Sequence, residues 1–278
     1  MRNIIERYAE IPRLLRRPLW RLWHNYLNWK DRSFEVKFLN YGYADLDSRS
    51  KPMDLSPEDE PERFCINLYH RNFGDVPVEG KDLLEVGCGR GGGASYIMRY
   101  LRPRSYIGLD VSKRIISQCN KNYHIPGLSF HCGKAESLPF ETARFDAVVN
   151  VESSRCYSDM PGFLSEVFRV LKPSGFLFLS DMRTREGNAE LREQCLDARF
   201  IILRHENILA NVVKALEQDN ERRMALIFEK TPGFLHKSVE EFSGTVGSVR
   251  FRLFREGLME YHWYLLKKTD EIGTSRNH

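Results

Sequence analysis

The 278-residue chain is 42% apolar and 29% charged with a net charge of +4, a balance that fits one globular domain with additions and excludes a disordered or fibrous class. It has no apolar run of the roughly 18 residues a spanning helix needs, and its Arg-rich start lacks the apolar core of a secretory signal, so a cytoplasmic compartment is expected. Six dispersed cysteines without a CxxC or a histidine at ligand spacing suggest neither a disulfide framework nor a zinc site, and no metal is expected.

The charge is concentrated at the start. Residues 1–30 carry seven basic and two acidic side chains, a net of +5, which leaves −1 for the rest and no extended track for a nucleic-acid backbone. Pro18 suits the first turn of a helix running to about Lys30. Leu19, Leu22, Trp23, Tyr26 and Leu27 share one face of it, with Arg21, His24, Asn25 and Asn28 elsewhere. Such a basic aromatic helix packs on its own domain or lies against a membrane surface, and residues 13–30 are where that contact would form. Residues 1–42 read as this arm. Residues 43–62, rich in Asp, Pro, Ser and Glu, read as a linker.

From residue 63 the main domain begins and extends to 268. Short apolar runs at 81–86, 104–110, 127–132, 144–151 and 176–181 read as strands, and the patterns at 92–101, 112–124 and 161–171 read as helices between them. Alternation of this kind gives a parallel sheet with helices on both faces. Residues 186–243 read as a helical insertion. The alternating stretch 248–268, with Glu256-Gly257 at its centre, reads as an antiparallel hairpin closing the sheet, and 269–278 as a disordered tail.

The chemistry is announced at residues 82–101, DLLEVGCGRGGGASYIMRYL. Gly87, Gly89 and Gly92 fall as GxGxxG between a strand and a helix, and Asp110 ends the next strand, placed to accept from ribose hydroxyls. A nicotinamide cofactor is allowed by that spacing alone. Glu85 argues otherwise, because a carboxylate at the strand exit repels a pyrophosphate and attracts the ammonium and sulfonium of S-adenosylmethionine.

Glu85-Val86-Gly87-Cys88-Gly89-Arg90-Gly91 resembles the E/DxGxGxG loop of Rossmann-like S-adenosylmethionine-dependent methyltransferases, and SLPF (137–140), FDAVVNVES (145–153) and VFRVLKPSG (167–175) fit the same pattern. INLYHR (66–71), EVGCGRGGGASY (85–96) and VESSRCY (151–157) are most similar to the phthiotriolone/phenolphthiotriolone dimycocerosates methyltransferases, which act on long-chain lipids. The resemblance implies an α/β three-layer sandwich with a mostly parallel seven-stranded sheet ending in an antiparallel hairpin. N-terminal helices and the 186–243 insertion would form a lid. It implies methyl transfer to a hydrophobic small molecule or lipid, as O-methylation of a hydroxyl, with C- or N-methylation or a non-catalytic cofactor-binding module as alternatives.

Carried over to this chain, the resemblance places Gly87, Gly89 and Gly91 along the methionine moiety with Glu85 near its ammonium. Asp110 would hold the ribose, Val111 flank the adenine, and Ala135 contact its edge through the backbone. Glu136, Asn150 and Tyr69 complete the expected cofactor wall. Where relatives have an aspartate facing the adenine amino group, this chain has Lys134, which has no acceptor to offer. Where they tend to have a histidine after strand four, it has Arg155, which cannot act as a base near pH 7. That leaves His70 and Glu152 as candidate bases, and Arg155 and Tyr157 as candidate contacts for the acceptor.

Overall fold

The computed structural model of the chain describes residues 36–47, 49 and 51–269; the expected arm helix from Pro18 to Lys30 lies outside the described residues. The described residues divide between two compact units.

The larger unit holds residues 69–208 and 260 onward and contains the whole sheet. Its elements follow the chain as β1 (Asp82–Val86), α2 (Gly92–Tyr100), β2 (Ser105–Asp110), α3 (Lys113–Asn122), β3 (Leu128–Cys132), β4 (Phe145–Val151), α4 (Met160–Val170), β5 (Leu171–Arg183), α5 (Arg185–Asp197), β6 (Phe200–Asn207) and β7 (Glu260–Lys268). Helix α1 (Arg63–Phe73) precedes them and carries the chain into this unit. The strands are ordered β3-β2-β1-β4-β5-β7-β6. β1 to β5 run parallel, and β7 is antiparallel to both β5 and β6. This is the expected seven-stranded Rossmann-like sheet.

The first strands form where expected because they are buried on both faces. Leu83, Leu84 and Val86 of β1 and Val148 and Val149 of β4 are at most 1% exposed, so a continuous apolar run is required of each. Helix starts follow local chemistry. Ser112 Oγ accepts from the Ile115 N–H at 3.4 Å, and Asp159 Oδ1 accepts from the Gly162 N–H at 2.9 Å with Pro161 in the first turn. One face of the sheet packs Leu84, Ile107, Val148, Leu177 and Leu179 against Phe163, Leu164, Val167 and Leu191 of α4 and α5.

Two expectations are corrected. Residues 186–243 are not helical throughout, since Phe200–Asn207 forms the edge strand β6. Its solvent-facing Arg204, His205 and Glu206 hide the strand signal of Ile201 and Ile202, as edge strands commonly do, and a register shift between Ile202 and Arg204 blurs the alternation further. Residues 248–268 are not a hairpin either. Ser248 Oγ accepts from the Phe251 N–H at 3.1 Å and caps the helix α9 (Val249–Arg255), in which Phe251 and Phe254, three residues apart, are both buried. A strand would have put those two rings on opposite faces. The antiparallel pair that ends the sheet is therefore β7 with β6.

The smaller unit holds residues up to 68 and 209–259. Besides α9 it contains α6 (Leu209–Gln218), α7 (Asn220–Lys230) and α8 (His236–Ser243). The buried Arg223 organises it. Its guanidinium donates to Asp219 Oδ2 at 2.9 Å, to the Asn40 and Tyr41 carbonyls at 3.1 Å and to the Ser243 carbonyl at 3.2 Å. The beginning of the expected linker is tied down here too. The Ala44 N–H donates to the Asn211 carbonyl, and Asn211 Nδ2 returns a bond to the Ala44 carbonyl.

Candidate active site

The strand order reverses between β1 and β4, and in an open α/β sheet the crevice at the carboxyl ends of strands at such a point is where ligands bind. The glycine loop stands there. Gly87, Gly89 and Gly91 have φ of +81°, +50° and +74°, a region costly for any side chain with a Cβ. Sterics reinforce this at Gly87, where a Cβ would overlap Ser153. At Gly93 it would overlap the ring of Tyr69. Gly89 instead faces open space, which leaves its backbone free for close approach by a ligand.

Beneath the loop Glu85 is fully buried. Tyr69 of α1 donates to its Oε1 at 2.8 Å, and Tyr106 of β2 donates to Oε2 at 3.0 Å. Burial pushes the carboxyl up to about 7, although both tyrosine bonds oppose the rise. The carboxylate thus has neutral hydroxyls as its hydrogen-bond donors. On the neighbouring strand Asp110 Oδ2 accepts from the Gly89 N–H at 3.2 Å and Oδ1 from the Ser112 N–H at 2.9 Å. Burial raises its carboxyl and these N–H bonds partly counter the rise. Each Asp110 oxygen has a further lone pair to offer a ribose hydroxyl.

Across the crevice Asn150 is the penultimate residue of β4. Its Nδ2 donates to the Val86 carbonyl at 2.9 Å and lies 2.9 Å from both Ser153 Oγ and the Tyr157 hydroxyl, which themselves donate to the Val86 carbonyl at 3.0 and 3.2 Å. The fully buried Asn150 keeps its Oδ1 without a donor, an acceptor beside the glycine loop that a cationic ligand would satisfy. Val111 is 54% exposed at the end of β2, Ala135 is buried, and Lys134 is exposed with its backbone bridged to Ser137. Glu136 Oε1 accepts from the Ser158 N–H and hydroxyl at 2.9 and 2.8 Å, tying the turn after β3 to the loop after β4.

The next strands gather a second group. Glu152, just past β4, has a φ of +52°, a strained value for a residue with a side chain, and its Oε1 accepts from the Tyr261 hydroxyl of β7 at 3.0 Å. Arg155 is engaged in a buried ion pair. Its Nη1 lies 3.0 Å from Asp181 Oδ1, its backbone N–H donates to Asp181 Oδ2 at 2.8 Å, and its Nη1 also donates to the Glu152 carbonyl. Asp181 is 1% exposed; burial would raise its carboxyl, but Arg155, Arg183 and the Ser154 hydroxyl outweigh that and hold it below the usual range. His70 is not brought to this group. Its Nδ1 is bonded to the Tyr96 hydroxyl at 2.8 Å, one turn of α2 beyond the glycine that packs on Tyr69.

Sequence reasoning missed Tyr106, Asp181 and Tyr261. Asp181 left a signal as an acid at a strand's carboxyl end. The two tyrosines left none, because their roles come from pairing across the sheet.

Two outcomes follow from these buried charges. Because the Glu85 carboxyl is raised in the fold from its ordinary 4.5 to about 7, the folded state binds more protons than the unfolded state between those values, and stability falls as pH rises through that window. Comparing wild type with E85Q by urea denaturation from acid to neutral pH should show a differential loss on the order of 3 kcal/mol in the wild type; parallel curves would contradict the burial. R155M should cost about 3 kcal/mol at neutral pH by stripping Asp181 of its nearest cation, with the cost shrinking as Asp181 takes a proton in acid. An unchanged denaturation midpoint would contradict the ion pair.

Comparison with known proteins agrees with the crevice. Residues 84–179 match the family model described as a methyltransferase domain. The chain is 38% identical over 250 residues to the phthiotriol/phenolphthiotriol dimycocerosates methyltransferase of Mycobacterium leprae, covering 90% of this chain and 92% of that protein. It is 37% identical over 253 residues to a fatty-acid O-methyltransferase of Mycolicibacterium smegmatis, covering 90% of each. In fold it resembles a putative sarcosine dimethylglycine methyltransferase from Galdieria sulphuraria, with a TM-score of 0.65 at 15% identity over 84% of this chain and 94% of that one. With the fold, the glycine loop and this similarity over nine-tenths of its length, the chain belongs to the Rossmann-like S-adenosylmethionine-dependent methyltransferases, in the same family as the phthiotriol/phenolphthiotriol dimycocerosates methyltransferases.

Proposed function

We propose that the enzyme transfers the methyl group of S-adenosylmethionine to an oxygen of a hydrophobic, lipid-like acceptor. The observation that carries the cofactor side is Glu85, a buried carboxylate beside a glycine loop whose hydrogen bonds come from two neutral hydroxyls. A cationic ligand supplies the missing counter-charge, and a pyrophosphate would be repelled. The acceptor class is supported by the relatives, one named for a dimycocerosate and another for a fatty acid.

The cofactor supplies a methyl group already activated on a sulfonium. The chain's part is to hold and align. Asp110 accepts from the ribose, Gly87 and Gly89 let the backbone approach the methionine, and Asn150 Oδ1 and Glu85 face its ammonium. Val111 and Ala135 border the adenine, with Glu136 fixing the turn that bears Ala135. Tyr157 and the loop that Arg155 anchors to Asp181 line the acceptor side. Excluding water from the reacting pair strengthens these electrostatic contacts. Of the two candidate bases, Glu152 is the better placed, at the exit of β4 and held by Tyr261; His70, bound to Tyr96, supports α2.

The decisive assay incubates the protein with methyl-labelled S-adenosylmethionine and a lipid extract, with D110A as control. Label should enter the organic phase with wild type alone; label confined to water-soluble products would contradict a lipid acceptor. Once a product is in hand, E152Q should lower kcat about 100-fold with cofactor affinity unchanged. Loss in H70A with E152Q unaffected would pass the role to His70. At the adenine end, K134D should restore an acceptor and tighten cofactor binding about fivefold by calorimetry, and an unchanged Kd would show that Lys134 costs the site nothing.

A further inference from the structure

The Val86 carbonyl, at the last residue of β1 before Gly87, is approached by three side chains from the end of β4 and the loop that follows it. Asn150 Nδ2 lies 2.9 Å from it, Ser153 Oγ 3.0 Å and the Tyr157 hydroxyl 3.2 Å. The three are also bonded among themselves, with Nδ2 2.9 Å from each hydroxyl oxygen and the two hydroxyls 2.9 Å apart. Between them they carry four hydrogens, and a carbonyl oxygen has two lone pairs. The hydroxyls must therefore also accept from the Asn150 amide.

This closed set of contacts fixes which way the Asn150 amide points. The Val86 carbonyl can only accept, so the amide atom 2.9 Å from it must be the nitrogen. Turning the amide over would set two acceptor oxygens against each other. Oδ1 is thus directed away from the cluster, and in a residue with no exposure it has no donor among the described residues. A buried acceptor left unpaired is costly, and a cationic donor removes that cost. The two hydroxyls are themselves held in place. Ser153 packs against Gly87, where a Cβ would overlap its Oγ, and the Tyr157 ring meets Phe163 of α4 edge to face at 4.8 Å.

We propose that Ser153 and Tyr157 are positioning residues for the cofactor, which lock the Asn150 amide so that its oxygen stands ready for the ammonium of S-adenosylmethionine. This role rests on the reading that Asn150 Oδ1 faces that ammonium. An acceptor held in one orientation before the ligand arrives has no rotational freedom left to lose on binding. An amide already bonded through its N–H groups also has no reason to turn its nitrogen toward a cation. For Tyr157 this duty is additional to its place on the acceptor side, and it needs the hydroxyl alone.

The test is calorimetric titration of the full chain with S-adenosylhomocysteine and with its desamino analogue, in which hydrogen replaces the amino group. S153A combined with Y157F should weaken S-adenosylhomocysteine about tenfold and leave the desamino analogue at its wild-type Kd. In an N150A background the same pair of substitutions should cost nothing further, because the group they orient is gone. An unchanged Kd for S-adenosylhomocysteine in the double variant overturns the proposal. So does an equal loss for both ligands, or a loss that adds in full to that of N150A, since either would make the hydroxyls general supports of the loop. The single variants S153A and Y157F each leave one hydroxyl and the Val86 carbonyl on the amide, and they carry the same comparison if the combination does not fold. N150A that binds S-adenosylhomocysteine as tightly as wild type overturns the ammonium contact itself, whereas a weakened N150A beside an unaffected double variant overturns only the positioning.

Discussion

The site is organised around a carboxylate that has been taken out of water and given no cation among the described residues. Glu85 lies in the interior strand β1, with Tyr69 reaching it from α1 and Tyr106 from β2. Desolvation at that depth favours the protonated acid, which is why its titration is moved up to about 7. Hydroxyl donors reduce that cost without removing it. Much of the local architecture serves this arrangement: Gly93 is a glycine because Tyr69 needs its space, and Tyr106 is held opposite Leu83 by the parallel register of β1 and β2. In the proposed reading a ligand bearing an ammonium and a sulfonium would turn this liability into binding energy, and one bearing a pyrophosphate would make it worse.

The loop after β4, which the proposed reading gives to the acceptor, is built on the opposite principle, with charges neutralised inside the protein. Asp181 at the end of β5 takes the backbone and guanidinium of Arg155 together with the Ser154 hydroxyl, and so fixes the loop that leaves β4. The same loop sends Ser153 and Tyr157 back to the Val86 carbonyl beside the glycines. One short segment thereby couples the cofactor crevice to the neighbouring strands. An arginine in this position is therefore a structural anchor, which accounts for a residue with no acid–base use in the loop after β4.

The inner strands β1, β2 and β4 were legible because strands buried on both faces must be apolar throughout, and the ends of the first four strands were readable to within a residue or two. β5 extends further, because its pairing with β4 resumes on both sides of the Lys172–Gly175 turn. β6 was not legible: an edge strand is defined by what lies beside it, and its Arg204, His205 and Glu206 read as a solvated helix. The heptapeptide VRFRLFR failed in the other direction, alternating well enough to suggest a strand until Phe254 breaks the phase. At the crevice, the glycine turn after β1 and the place of Asp110 at the end of β2 could be read from spacing. Tyr106 and Tyr261 could not, since nothing in their sequence neighbourhoods shows which carboxylate a folded sheet will bring to their hydroxyls.

The most direct test of this account is calorimetric titration with S-adenosylmethionine, repeated near pH 7 in buffers of different ionisation heat and set beside a titration with NAD. A cation binding at Glu85 must favour its charged form, so the account predicts binding of S-adenosylmethionine with net proton release that disappears in E85Q, and no binding of NAD. Binding of NAD, or binding of S-adenosylmethionine with no proton released, would contradict it.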